Sequence, residues 1–197
     1  MRNRTVGVLT DCAIMVALSF ALSCVKLFQM PLGGSVTLVS MLPVMLIGIK
    51  HGSRIGLATG FVYSLTQLSQ ALIEGDVFPY CETAGVLIIC LLCDYLIPFT
   101  MLGIAGIFKE NKIFKNEELG CYVGLGVAVL IRFVCHLITG VAVWGQWVPE
   151  GMGKFLYSFL YNGAYLGVDL VLCLLVAVIM LRNGVIRRML CISASEK

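Results

Sequence analysis

The chain has 197 residues, 59% of them hydrophobic and 13% charged, with a mean hydropathy of +0.97. That balance excludes a water-soluble domain, and a net charge of only +3 gives no reason to expect a nucleic-acid partner.

A helix crossing the hydrocarbon layer needs roughly 20 mostly apolar residues. The windows at about 8–25, 36–49, 54–73, 84–108, 119–143 and 156–181 are candidates, the second short enough to dip rather than cross. Runs such as LVLCLLVAVIMLR lack the alternation of a barrel strand. The expected fold is therefore an all-α integral membrane protein, a single bundle of six transmembrane helices over residues 1–197.

In chain order, Arg2 and Arg4 precede the first span, but Asp11 interrupts the apolar run that a cleaved signal would need, so the span is read as retained. Asp11 lies within a turn of the basic end, where water can reach it. Ala13, Ala17 and Ala21 recur every four residues and make a smooth face for a helix partner. Met30–Ser35, with Gly33 and Gly34, is expected to be a mobile outer lid. Gly56-x-x-x-Gly60 and Gly120-x-x-x-Gly124 read as packing within the bundle. Cys90 and Cys93 have redox spacing but no basic neighbour to lower a thiol pKa, and no metal site is expected.

Ionisable groups inside spans are costly and mark candidate sites. Asp94 stands ten residues after Ala84, ~15 Å into the layer at ~1.5 Å per residue. Arg132, His136 and Gly140 recur every four residues on the fifth span, with Trp144 at its outer end. On the sixth, Tyr157, Tyr161 and Tyr165 share a face, whereas Asn162 falls about 140° from Tyr157 on an ideal helix. Asp169 lies deep in the same span, as a further candidate or a structural hydrogen-bond partner. A carboxylate, an imidazole, an amide, a phenol and an indole suit a flat heteroaromatic ligand, and a positive charge on it would gain from the aromatic face.

With both termini inside, eleven of the 14 lysines and arginines fall on the inner side, only Lys26 and Lys154 fall outside, and Arg132 is in a span. That is a strong positive-inside bias, and with the six apolar windows it points to a multi-pass membrane protein. The sequence contains no G-x-x-x-x-G-K-[ST], and inverted repeats and interrupted helices of a self-contained carrier are not seen. An outside partner supplying the energy is one solution; a secondary carrier is the other.

Several stretches resemble a known family. His136–Trp144 (HLITGVAVW), the following WVPEG, Leu156–Tyr165 (LYSFLYNGAY), Met30–Val36 (MPLGGSV), Met41–Pro43, Leu91–Tyr95 (LLCDY) and Leu102–Phe108 (LGIAGIF) are similar to the ThiT family, the thiamine-binding S components of energy-coupling factor transporters. The likeness runs in order from about residue 9 to 181. It implies a six-helix protein that captures thiamine from outside without covalent chemistry or cofactor. It also implies a transmembrane coupling subunit and two ATP-binding subunits as partners, with Ala13, Ala17 and Ala21 as the docking face. Carried across by position, the ligand-binding residues are Asp94, Tyr95, His136, Gly140, Trp144, Tyr157 and Asn162, with Gly140 admitting a flat ring. Where some members place a loop tryptophan, this chain has Gly33 and Gly34, so Phe28, Tyr80, Tyr95 or Trp147 is expected to supply the missing aromatic. Two alternatives stay open from the residues: another vitamin or a thiamine precursor as ligand, and a small membrane enzyme using Asp94 and His136 as an acid/base pair.

Overall fold

The computed structural model describes residues 4–30, 33–75 and 78–192. It is mostly helical: α1 (Arg4–Ser23), α2 (Leu42–His51), α3 (Ser53–Glu74), α4 (Ala84–Glu110), α5 (Glu117–Ala142), α6 (Lys154–Arg182) and a short α7 (Gly184–Met189). Among the described residues, α1, α4, α5 and α6 are long and apolar enough to cross a membrane. α3 has the length, 22 residues, but its sequence carries Arg54, Gln67, Gln70 and Glu74 among several hydroxyl residues.

The second apolar window differs from the expectation. Its first part is not helical: strand β1 (Lys26–Gln29) pairs antiparallel with β2 (Ser35–Thr37), and a turn follows. The helix starts only at Leu42, where Pro43 sits in its first turn with φ already suited to a helix. Val39 has φ 49°, a strained conformation for a β-branched residue, and its carbonyl accepts the Leu42 N–H at 3.0 Å. Ten residues make α2 ~15 Å long. Leu42 to Ile49 are all buried, so α2 forms the centre of the bundle, apolar all round. Pro31 and Leu32, at the heart of the expected lid, lie outside the described residues.

Beside its side-chain core the bundle has a seat where helices meet backbone to backbone. α4 carries a 3₁₀ stretch at Leu102–Gly106, and three helices press on it. A Cβ at Gly48 of α2 would lie 2.3 Å from the Gly103 carbonyl oxygen, one at Gly56 of α3 2.1 Å from the same atom, and one at Gly124 of α5 1.8 Å from that of Ala105. Small residues let helices approach this closely in lipid, where packing replaces the hydrophobic drive. Gly56-x-x-x-Gly60 and Gly124 therefore pack internally, as expected. The exterior of α1 contrasts with this: only Ser19 and Ser23 are buried, and Ala13, Ala17 and Ala21 are all exposed.

Polar contacts gather at the two ends. At one, Asp11 accepts from Lys50 at 2.7 Å and pairs with His51 at 2.9 Å. There too Lys109 donates to the carbonyls of Ile49 and Leu190, and Arg187 meets Glu118. At the other end Lys26 pairs with Glu74. That second end holds the cavity described next.

Candidate functional site

Asp94 is placed by a proline. Pro98 lacks the N–H that would reach the Asp94 carbonyl, and its ring would press on that carbonyl in a regular helix. Residues Leu91–Leu96 form a π-helical turn, with Ile97 N–H bonded back to Leu92. Such turns occur often at functional sites. Asp94 is buried and its carboxylate points at α5.

Three donors from α5 and the turn after it converge on that carboxylate. Thr139 Oγ1 donates to Oδ1, His136 Nδ1 lies 3.1 Å from Oδ1, and Trp144 Nε1 lies 3.4 Å from Oδ2. The imidazole has its proton assigned by the residue one turn earlier. Arg132 Nε–H donates to His136 Nε2 at 3.2 Å, and arginine can only donate. Nε2 is therefore the acceptor, Nδ1 carries the hydrogen, and the ring is neutral while donating to Asp94. Arg132 itself is buried, its Cζ 4.3 Å from the centre of the Phe99 ring, a cation–π contact.

A second wall comes from α6, packed beside α5. Tyr157 and Tyr161 stack at 5.9 Å, and Tyr161 meets Tyr165 edge-on at the same distance. Asn162 Nδ2 donates to the carbonyl of Ser158 at 2.9 Å and to that of His136 at 3.3 Å, while its oxygen accepts from Tyr165. Much of its bonding capacity thus ties α6 to α5. Gly140 has a packing role besides any ligand role: a Cβ there would lie 1.9 Å from Ser158 Oγ and 2.8 Å from Ser158 Cβ. The hairpin forms a third wall. Gly34 N–H donates to Tyr161 OH at 3.0 Å, and Thr37 N–H donates to Asp169 Oδ1 at 3.0 Å, giving Asp169 a structural bond while it also faces the cavity.

These walls enclose a cavity of about 150 Å³ that all seven residues expected from the sequence line: Asp94, Tyr95, His136, Gly140, Trp144, Tyr157 and Asn162. Tyr157 and Asn162 both reach it despite their angular separation on α6. Of the aromatics expected to replace a loop tryptophan, Tyr95 lines the cavity. Tyr80 packs edge-on against both Trp144, at 6.1 Å, and Trp147, at 5.7 Å, and Phe28 is 61% exposed. Sequence reasoning did not identify the wall opposite α5, where Ser23, Lys26, Gln67, Gln70 and Glu74 also line the cavity. The available signal was the spacing i, i+3, i+7 of Gln67, Gln70 and Glu74, which puts three long polar side chains on one face of α3.

The sequence matches the family described as thiamine transporter protein (Thia_YuaJ) over residues 9–187. The thiamine transporter ThiT of Bacillus subtilis (strain 168) is 29% identical over 177 residues, 85% of this chain and 86% of that protein. The ThiT of Lacticaseibacillus paracasei is 22% identical over 192 residues, 91% of this chain and 89% of that one. The solved structure of ThiT from Listeria monocytogenes shares the fold, with a TM-score of 0.72 at 21% identity, covering 95% of this chain and 99% of the other. The match spans α1 to α6 and every wall of the cavity, so this multi-pass membrane chain belongs to the thiamine transporter family and is a transport protein, not an enzyme.

Proposed function

We propose that the cavity captures thiamine from outside the cell, and that the protein is the S component of an energy-coupling factor transporter. The observation that carries the reading is the convergence of Asp94, His136, Trp144, Tyr157 and Asn162, from α4, α5 with the turn after it, and α6, on one hollow. Asp94, held by three donors on its α5 side, offers Oδ2 lone-pair capacity to the amino group of the aminopyrimidine. Tyr157 pairs with a ring nitrogen, Trp144 stacks on a ring, and Tyr95 adds an aromatic face for the cationic thiazolium. Asn162 and Gly140 set the width of the slot. The whole chain acts as one membrane domain of six spans with both termini inside. In that orientation the Asp11–Lys50–His51 cluster faces the cytoplasm, in keeping with the positive-inside bias, and the cavity faces out.

Calorimetry on purified protein tests the ligand. Thiamine should bind tightly, its separate pyrimidine and thiazolium halves far more weakly, and riboflavin not at all. Equal affinity for riboflavin would sink the reading.

The exposed face of Ala13, Ala17 and Ala21 supports docking on a transmembrane coupling subunit that carries two ATP-binding subunits. Ala17→Trp should abolish assembly and uptake in cells while thiamine affinity of the isolated protein stays within about twofold. Loss of binding in detergent would place the stripe inside the bundle instead.

A further inference from the structure

The wall formed by α1, β1 and α3 is polar from the cavity mouth inward. Glu74 closes α3 at the mouth, with its Oε2 2.7 Å from Lys26 Nζ. Its Oε1 accepts from Gln70 Nε2 at 2.9 Å, Gln70 Oε1 accepts from Ser23 Oγ at 3.0 Å, and Gln67 Nε2 donates to Ser23 Oγ at 3.0 Å. Exposure falls along this ladder, from the exposed Glu74 through half-buried Gln70 and Gln67 to buried Ser23. Seven residues separate Gln67 from Glu74, ~10 Å along the helix. All five residues line the same cavity as Asp94.

Glutamine amides and a carboxylate on a membrane helix are expensive unless they face water or a ligand. Three hydrogen-bonded side chains would suffice to join α1 to α3; a lysine–glutamate pair at the mouth adds a charge switch. We infer that Glu74 is a cation-binding subsite at the mouth, held by Lys26 in the empty protein, and that a cationic ring displaces Lys26 on its way into the cavity. The ring's charge then passes from the Glu74 carboxylate to the aromatic face of Tyr95, with Gln70 and Gln67 lining the same cavity. The exchange swaps one ammonium for another cation while Gln70 stays bonded to the carboxylate's other oxygen. An exposed ion pair of this kind is worth little, so Lys26 yields readily. A carboxylate at the mouth of a low-dielectric cleft also raises the arrival rate of a positive ligand.

This inference rests on the proposed thiamine reading and is tested by stopped-flow tryptophan fluorescence on purified full-length protein. The probes are thiamine and its neutral isostere 3-deazathiamine. Glu74→Gln should slow thiamine association about five- to tenfold and leave 3-deazathiamine unchanged. Lys26→Met, which removes the ammonium beside the carboxylate, should speed thiamine association about threefold. Opposite signs are the decisive result, because a pair that merely braced the wall would weaken binding alike from either side. If both variants shift thiamine in the same direction, if neither shifts it, or if the isostere responds as strongly, the subsite is refuted. Should Glu74→Gln fail to fold, Lys26→Met decides alone: acceleration supports the exchange, and slowing or no change overturns it. Wild-type protein that binds no thiamine would refute the ligand assignment instead.

Discussion

Asp94→Asn should weaken thiamine binding by about 100-fold, more than the one-atom change implies. The carboxylate accepts from Thr139 and His136 on one oxygen and faces Trp144 on the other. An asparagine must turn its NH₂ either toward the first two donors or toward the indole N–H, and either way a buried donor meets a donor. An unsatisfied buried group costs about 1–3 kcal/mol, and losing a charge-assisted bond to the ligand's amino group costs a further ~1.5 kcal/mol or more. Together these approach ~3 kcal/mol, which corresponds to about two orders of magnitude in affinity. Arg132 makes the loss hard to recover. His136 could relieve the clash by shifting its proton to Nε2, but Arg132 Nε–H already donates there. The asparagine substitution should therefore cost several-fold less in an Arg132→Met background, where the imidazole is free to change tautomer. Calorimetry on the four proteins of the cycle measures both effects. Binding by Asp94→Asn within threefold of wild type would mean that the carboxylate is not in the ligand's path.

The charged and aromatic residues of the site were legible in the sequence because lipid makes each of them conspicuous. An aspartate, an arginine and a histidine in apolar runs must find partners, and His136, Gly140 and Trp144 at four-residue spacing all border the cavity. The hairpin was not legible: Val36, Leu38 and Val39 read equally well as the start of a span, since short apolar runs do not separate strand from helix. Nor was the break in α4, although Pro98 four residues after Asp94 was its signal. Gly140 was assigned to ligand approach, yet its Cβ direction is filled by Ser158, so helix packing alone already demands a glycine there. The Gln67–Glu74 face escaped notice because polar residues near the end of a span ordinarily face headgroups and water. Only the tertiary structure brings Ser23 and Lys26 against them.

The second large effect concerns the seat of the bundle. Gly103→Ala should lower the unfolding temperature by about 10 °C or prevent isolation of folded protein. The added Cβ would fall 2.0 Å from the Gly56 carbonyl carbon, 2.1 Å from its oxygen and 2.3 Å from Leu57 N. All three are backbone atoms, so no rotamer change relieves the contact and α3 or α4 must move. Overpacking costs about 1–3 kcal/mol where side chains can adjust, and it belongs at or above the top of that range where they cannot. At roughly 2–4 °C per kcal/mol for a chain of this size, the predicted fall follows. Gly126 and Gly167 are the controls, each in a helix with nothing within 4 Å of the position a Cβ would take. There alanine should be neutral or raise stability by up to about 1 kcal/mol through helix propensity. Thermal unfolding of the three variants in one detergent separates the cases. If Gly103→Ala unfolds with wild type, the close seating of α2, α3 and α5 on Leu102–Gly106 is wrong, and with it the placement of Asp94 nine residues earlier on the same helix.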